Sequence, residues 1–111
     1  MLTEIFGEYP QVKVIDLLIT HPRIQYTKTE IADCAEIGRA TLYKFWDVLE
    51  RYQIVKPTYQ IGKTILYTVN MDSPALKALK KFQLEMAEIE IELQNREELK
   101  EVEAEKVPAH G

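Results

Sequence analysis

Four side chains able to hydrogen-bond to nucleic acid fall within one stretch of six residues: Arg39, Thr41, Tyr43 and Lys44. Arginine can pair with guanine, lysine with guanine or phosphate, and threonine with phosphate or the thymine methyl group. Tyr43 adds a hydroxyl group and a ring that can meet a sugar or a base edge. With Ala40 beside them, these residues predict a DNA-contacting surface. The alternative is an ordinary solvated helix face.

The same stretch predicts the helix that would position this surface. Apolar residues recur four and three apart, which is the spacing of one buried helix face: Leu42, Trp46 and Leu49, with Phe45 flanking them. We therefore expect a helix from about Arg39 to Tyr52, with a polar N-terminal part and an apolar stripe. Gly38 ends the preceding connection, and we expect it to permit a tight turn.

Four elements are predicted before this helix. A helical turn at Leu2–Phe6 precedes a helix from about Pro10 to Thr20, in which Pro10 suits the first helical position. Its expected stripe is Val12, Ile15, Leu18 and Ile19. After an extended segment at residues 24–26, Thr27 and Glu30 have the spacing of a capping box. They begin a short helix whose expected inward residues are Ile31, Cys34 and Ala35.

A β-hairpin is predicted next, because residues 54–70 are rich in β-branched and aromatic side chains around the Gly62-Lys63 pair. We expect strands near Ile54–Gln60 and Thr64–Asn70, with Pro57 marking an edge or a bulge. Tyr67 should pack in the core. The candidate DNA contacts on this hairpin are Lys56, Tyr59, Gln60, Lys63 and Thr64. Lys63 at the tip is the best phosphate ligand among them, whereas Tyr59 could equally pack on the preceding helix.

The last predicted element is a long helix that Ser73 caps and Pro74 begins. Its apolar residues are close to a heptad seam: Leu76, Leu79, Phe82, Met86, Ile89 and Leu93. A helix from Pro74 to Val102 would be about 43 Å long, which is longer than a small core can cover. We therefore expect a homodimer joined by a coiled coil. The expected division is a domain at 1–72, a dimerisation helix at 73–103 and a disordered tail at 104–111.

The net charge of −4 is unevenly distributed along the chain. Residues 1–81 carry 11 Lys and Arg against 9 Asp and Glu, whereas residues 82–111 carry 3 against 9. The acidity therefore belongs to the C-terminal part, and the first part is mildly basic. Local clustering of cations there could bind phosphate. The acidic helix could also dock another protein.

Several function classes are excluded by what the sequence lacks. There is no nucleophile–base pair or cofactor motif, so we expect no enzymatic activity and no cofactor. His21, Cys34 and His110 are too few and too scattered for a closed metal site, and a lone cysteine forms no internal disulfide. Cys34 reads as a small buried residue rather than a sensor. Apolar runs are too short for a membrane span, and no secretion signal is visible. We expect a cytoplasmic protein.

The order of the predicted elements is typical of a winged helix-turn-helix: helix, short strand, short helix, turn, longer helix, hairpin. The predicted fold class is α+β, mostly α, with a long C-terminal helix added. In this arrangement the N-terminal half of the helix at 39–52 enters the DNA major groove, and the hairpin is the wing. Lys28 and Thr29 begin the short helix, where they could bind a phosphate or simply belong to the cap.

Residues 2–80 resemble one known family. The stretches "LTEIFGEYPQVKVIDLLI", "YTKTEIADCAEIGRATLYKFWDVLERYQIVK" and "IGKTILYTVNMDSPALKAL" are similar to archaeal-type winged helix-turn-helix regulators of the ArsR/MarR-like group. The family usually has Gly where Gln53 stands, so this chain must end its helix without Gly. The resemblance implies sequence-specific binding of double-stranded DNA, commonly as a dimer. The alternatives are a winged-helix protein-interaction module and a plasmid or viral segregation adaptor.

Overall fold

The computed structural model describes residues 1–106. Within them it contains five helices and two strands in the predicted order: α1 (Leu2–Phe6), α2 (Pro10–Thr20), α3 (Lys28–Cys34), α4 (Arg39–Arg51), β1 (Val55–Ile61), β2 (Thr64–Val69) and α5 (Pro74–Lys106). The predicted fold class is confirmed: a mostly helical body with a small antiparallel sheet and a long C-terminal helix. α5 extends three residues beyond the predicted 103, and residues 107–111 of the expected tail lie outside the described residues.

The hydrophobic core lies where α2, α3 and α4 meet the base of the hairpin. The predicted stripe of α4 is confirmed, because Leu42, Phe45, Trp46 and Leu49 are all buried. In α2 the fully buried residues are Val14, Leu18 and Ile19, whereas Val12 and Ile15 are only partly buried. The buried face of α2 is therefore slightly rotated from the predicted one, and it includes Val14 in place of Val12 and Ile15.

The turn between α3 and α4 departs from the prediction in one residue. Glu36, and not Gly38, takes the left-handed conformation, with φ of 57°. The Glu36 amide donates to the Asp33 carbonyl at 3.2 Å and the Ile37 amide to the Ala32 carbonyl at 3.0 Å. These two hydrogen bonds form a Schellman motif, which satisfies carbonyls at the end of α3. Gly38 instead has extended backbone and is the N-cap of α4.

The end of α4 repeats this motif. Gln53 has φ of 56°, its amide donates to the Glu50 carbonyl at 3.0 Å, and the Ile54 amide donates to the Leu49 carbonyl at 2.8 Å. The helix thus ends in a Schellman motif with glutamine at the position that glycine usually fills. The expectation that Gln53 ends this helix without glycine is confirmed.

The predicted burial of Cys34 is wrong, because the side chain is exposed. The buried side of α3 contains Ile31 and Ala32, and Ala35 follows on the same side. At about 100° per residue, the centre of that side lies between Ile31 and Ala32. Cys34 points about 110° away from it, so the three-residue spacing from Ile31 does not bring it inward. The capping box of Thr27 and Glu30 is confirmed.

The hairpin has the predicted strands, with ends shifted by one residue. Val55 pairs with Val69 and Ile61 with Thr64, and the register shifts between Pro57 and Tyr59. This irregularity confirms the bulge that Pro57 predicted. Gly62 has φ of 60° in the connecting turn, a conformation that favours glycine.

The segment before α3 is joined to the hairpin. The amide groups of Tyr26 and Tyr67 donate to each other's carbonyls at 2.8 and 2.7 Å, which forms an isolated antiparallel bridge. Thr58 adds a hydrogen bond of 2.8 Å to the Gln25 side chain. The wing is therefore fixed to the start of α3 by backbone and side-chain contacts.

A polar network fixes the long helix α5 to α2. The side-chain amide of Gln83 is buried and donates to Asp16 at 3.1 Å and to Thr20 at 2.9 Å. Lys80 donates to the Ile19 carbonyl at 2.8 Å and to the Gln83 side-chain carbonyl at 3.1 Å. Both the nitrogen and the oxygen of the Gln83 amide are thus hydrogen-bonded. Because such a network has a specific geometry, it determines which face of α5 lies on the body.

Candidate nucleic-acid interface

The predicted contact residues of α4 form one solvent-facing surface. Arg39, Ala40, Tyr43 and Lys44 are exposed, and Thr41 is half-buried. Residues three and four apart lie side by side on a helix, so Arg39 and Tyr43 are neighbours, as are Ala40 and Lys44. Tyr43 is 52% exposed although the buried Leu42 directly precedes it. The N-terminal half of α4 therefore offers two cations and an aromatic ring to a partner.

A cleft of about 230 Å³ separates the beginning of α3 from the wing. It contains four of the predicted contact residues: Lys28, Thr29, Lys63 and Thr64. Thr27, Ile65 and Tyr67 complete its lining. Residues that are more than thirty positions apart in the sequence thus meet in one place. The cleft has a lysine on each wall, which suits an anionic group of a partner.

Lys28 does not extend freely into this cleft. Its Nζ lies 4.8 Å from the centroid of the Trp46 ring, 5.7 Å from that of Tyr67 and 5.8 Å from that of Tyr43. All three distances are within the range of about 6 Å for a cation–π interaction. Thr29, the next residue, is half-buried.

The side chains of the wing differ in how freely they can contact a partner. Lys63 and Thr64 are exposed at the turn. The Gln60 side chain donates to the Gly62 carbonyl at 2.7 Å, so it stabilises the turn. Lys56 forms an ion pair of 3.1 Å with Asp72 at the base of the hairpin. Tyr59 is 55% exposed and does not pack in the core. Lys63 and Thr64 are therefore the wing side chains best placed for a partner.

Two tyrosines are buried at the wing: Tyr67 belongs to β2, and Tyr26 is bridged to it. Tyr67 packs in the core, as predicted, and its ring meets Trp46 edge to face. Burial raises the pKa of Tyr67, and the nearby Glu50 adds to the increase. Burial likewise raises the pKa of Tyr26, with smaller contributions from Cys34 and Glu30. Both phenols therefore stay protonated to a higher pH than an ordinary tyrosine. Neither adds negative charge beside the cations of the candidate interface.

A second candidate surface is apolar and combines α5 with α1. Along α5, Phe82, Ile89 and Leu93 are 38–49% exposed, and Met86 is half-buried. Phe6 of α1 lies beside Phe82, with ring centroids 6.0 Å apart. Ile5 and Met86 line one groove between the two helices. The apolar residues of α1 had suggested only a helical turn, and their proximity to α5 was not predicted.

The first part of the predicted seam belongs to the fold instead. Leu76 is 4% exposed and lies in the core of its own chain, and Leu79 packs against the same core. The assignment of Leu76 to a dimer seam is therefore corrected, because the core of the same chain already covers its side chain. The seam open to a partner runs from Phe82 to Leu93.

His21 and Cys34 line another cleft, of about 320 Å³, near α2 and α3. Across residues 1–106, no three His, Cys, Asp or Glu side chains are grouped so as to hold a metal ion. His110 lies outside this range. No helix in the same range combines the length and the apolar character that crossing a membrane requires.

The fold is shared with several proteins of known structure. A double mutant of ZitR from Lactococcus lactis in apo form superimposes with a TM-score of 0.65 at 19% identity, over 92% of this chain and 81% of that one. MepR, a transcription regulator of the Staphylococcus aureus multidrug efflux pump MepA, gives 0.62 at 18% identity, over 86% and 72%. Wild-type ZitR in complex with DNA gives 0.56 at 17% identity, over 84% and 67%.

These likenesses define the architecture of the chain as a winged helix. One protein that shares the fold is a transcription regulator, and another has been solved in complex with DNA. No protein-family model matches the sequence. No curated protein matches it either. At these identities the comparison shows the fold alone.

Proposed function

We propose that the chain is a sequence-specific regulator of transcription that binds double-stranded DNA as a homodimer. In this proposal it belongs to the archaeal-type ArsR/MarR-like group, works in the cytoplasm and has no enzymatic activity. The observation that carries the proposal is the exposed face of α4 with Arg39, Tyr43 and Lys44. The same fold exposes Lys63 at the wing tip, and one structural neighbour has been solved in complex with DNA.

In this proposal α4 is the recognition helix. Its N-terminal half enters the major groove, where Arg39 and Lys44 meet base edges and Tyr43 meets a sugar or base. Lys63 at the wing tip neutralises a backbone phosphate, and Thr29 and Thr64 can donate hydrogen bonds to the same strand. The buried stripe of α4 anchors the helix while its polar half remains free.

The dimer forms through the apolar surface of α1 and α5. Phe6, Phe82, Ile89 and Leu93 are exposed on a single chain, and a second copy of the same surface would cover them. The division into a winged-helix domain at 1–72 and a dimerisation helix at 73–103 is part of this proposal. Two recognition helices would then meet half-sites about 34 Å apart, or a multiple of that distance.

The test is selection of bound duplexes from a random pool by the purified chain, at a stated salt concentration. We expect a repeated half-site motif to emerge. The double variant Arg39→Ala/Lys44→Ala, checked for folding by circular dichroism, should lose the motif. Failure of the wild type to enrich any sequence, at low and at physiological salt, would overturn the proposal.

A second candidate, docking of another protein on α5, is favoured by one observation. The side of α5 away from the dimer surface also carries exposed apolar residues, at 42–62% exposure: Leu84, Ile91, Leu99 and Val102. The charged residues nearest to this outer stripe include Glu88 and Glu98. A basic amphipathic helix would complement it. Retention of every DNA-binding property in an Ile91→Asp variant would separate this role from DNA recognition.

A further inference from the structure

Lys28 connects three elements of the candidate interface through one ammonium group. It is the first residue of α3, while Tyr43 and Trp46 belong to α4 and Tyr67 to β2. An ammonium is attracted to the face of an aromatic ring by the ring quadrupole, and tryptophan is the strongest partner. Lys28 therefore sits among rings contributed by both the recognition helix and the wing.

The orientation of Trp46 depends on these ring contacts. Its indole Nε1–H is buried and has no hydrogen-bond partner among the described residues. The indole therefore has no polar anchor, and the ammonium of Lys28 and the edge contact with Tyr67 are the directional interactions left to orient it. Because the Trp46 ring of α4 packs on the Tyr67 ring of β2, a reoriented indole would change the contact that joins the helix to the wing.

We propose that Lys28 is a positioning residue that holds the recognition helix and the wing at a fixed distance, and that it is not a phosphate ligand. The inference rests on the proposed function for its DNA-binding part. Lys63 lines the same cleft and lies exposed at the wing tip. The two lysines thus have separate tasks: Lys63 meets phosphate, and Lys28 sets the geometry from which α4 and Lys63 reach DNA.

The test compares Lys28→Met, Lys28→Arg and Lys63→Met in the full chain. Methionine is close to lysine in side-chain length and carries no charge, and arginine keeps the charge and stacks on aromatic rings. The first readout is the salt dependence of binding to a selected duplex. The second is the fluorescence of Trp46 without DNA, which is unambiguous because the chain has one Trp.

We expect Lys28→Met to leave the salt slope at its wild-type value. Lys63→Met should lower the slope by about 0.9, because one phosphate is no longer neutralised. Affinity of Lys28→Met should fall about two- to fivefold, the equivalent of about 0.5–1 kcal/mol. Its Trp46 emission should shift even without DNA. Lys28→Arg should restore both the affinity and the emission.

Two results would overturn the inference. A fall of about 0.9 in the salt slope of Lys28→Met would make Lys28 a phosphate ligand. An unchanged Trp46 spectrum in the same variant would mean that the ammonium does not contact the indole in solution. If the wild type bound no duplex, the proposed function would fail separately. The fluorescence of Lys28→Met, and its restoration by Lys28→Arg, would then still test the contact between Lys28 and Trp46 in the absence of DNA.

Discussion

Trp46 and Tyr67 meet edge to face, with ring centroids 4.8 Å apart and an interplanar angle of 76°. Trp46 belongs to α4 and Tyr67 to β2, so this contact joins α4 to the wing. Tyr67 also bridges to Tyr26 through two backbone hydrogen bonds. α4, the wing and the entrance to α3 are therefore joined through one aromatic pair, which holds the elements of the candidate interface together.

Removing the Trp46 indole should destabilise the fold strongly. We expect Trp46→Ala to lower the free energy of unfolding by about 3–5 kcal/mol, because a large side chain is removed from a packed core and a cavity is left. Urea unfolding followed by circular dichroism measures this. Tyr52→Ala removes an exposed aromatic ring from the end of the same helix and is the matched control. Equal losses of stability in the two variants would contradict the packing described.

The two Schellman motifs predict stabilising substitutions. Glu36 and Gln53 both have positive φ, which disfavours residues with a Cβ. Glycine loses more conformational entropy on folding, and this offsets part of the gain. We expect Glu36→Gly and Gln53→Gly each to raise the free energy of unfolding by about 0.5–1 kcal/mol.

Thermal and urea unfolding of the two glycine variants measure this gain. Glu85→Gly, at an exposed position well inside α5, is the control and should instead destabilise by about 1 kcal/mol. Destabilisation by all three substitutions would show that neither turn has the left-handed conformation in solution.

Much of the fold follows from local sequence signals. The capping box at Thr27 and Glu30, the stripe from Leu42 to Leu49 and the Gly62 turn each depend on residues close together in the chain. Helix periodicity, capping and turn chemistry act over such distances, so these elements were predictable within a residue or two. The same local signals predicted which residues of α4 and of the wing tip are exposed at the candidate interface.

What was not predictable depends on contacts between distant residues. The heptad spacing of α5 includes Phe82, yet Gln83 is the buried residue, because its amide meets Asp16 and Thr20 of α2. The aromatic surroundings of Lys28 likewise come from α4 and β2, and no spacing around Lys28 indicates them. The inward prediction for Cys34 is wrong because a short helix leaves few residues from which to locate its buried side.

Alkaline pH should weaken the fold through two phenols. The pKa values of Tyr26 and Tyr67 are raised above the ordinary value of 10.0, chiefly by burial. Above that pH the unfolded chain has released phenol protons that the folded chain still holds, so unfolding releases protons and stability falls as pH rises. The loss of stability should continue until pH passes the raised pKa values.

Urea unfolding at a series of pH values from 8 to about 11, around the ordinary tyrosine pKa, measures this dependence. Tyr26→Phe should flatten it, and Tyr9→Phe at an exposed position is the matched control. An equally steep alkaline decline in Tyr26→Phe and the wild type would contradict a role for this buried phenol.

The dimer proposal can be tested with two isoleucines of α5. Ile89 is 47% exposed on the surface shared with α1, and Ile91 is 57% exposed on the outer stripe. We expect Ile89→Asp to give monomers, because an unpaired carboxylate would be buried between the two chains, and Ile91→Asp to remain dimeric. Sedimentation velocity at micromolar concentration measures both. A monomeric wild type would refute the proposal, and dissociation by Ile91→Asp alone would move the interface to the outer stripe.

Loss of a base contact and loss of a phosphate contact should have different effects on DNA binding. Arg39→Ala and Lys44→Ala should each cost about 1–3 kcal/mol of binding free energy, because a hydrogen bond to a base is removed, and relax preference at one position of the half-site. Lys63→Ala should weaken binding to all sequences about equally and lower the salt slope by about one. The contrast follows from geometry, since Arg39 and Lys44 lie on α4 and Lys63 lies at the wing tip.

The measurement is binding of each folded variant to the selected duplex and to a random duplex across a salt series. Lys100→Ala, which removes an exposed cation from the C-terminal part of α5, controls for net charge and should leave both preference and slope near wild type. If Arg39→Ala and Lys44→Ala both keep wild-type affinity, preference and salt slope, α4 does not read bases. The outer stripe of α5 and a protein partner would then be the better explanation of the exposed surfaces.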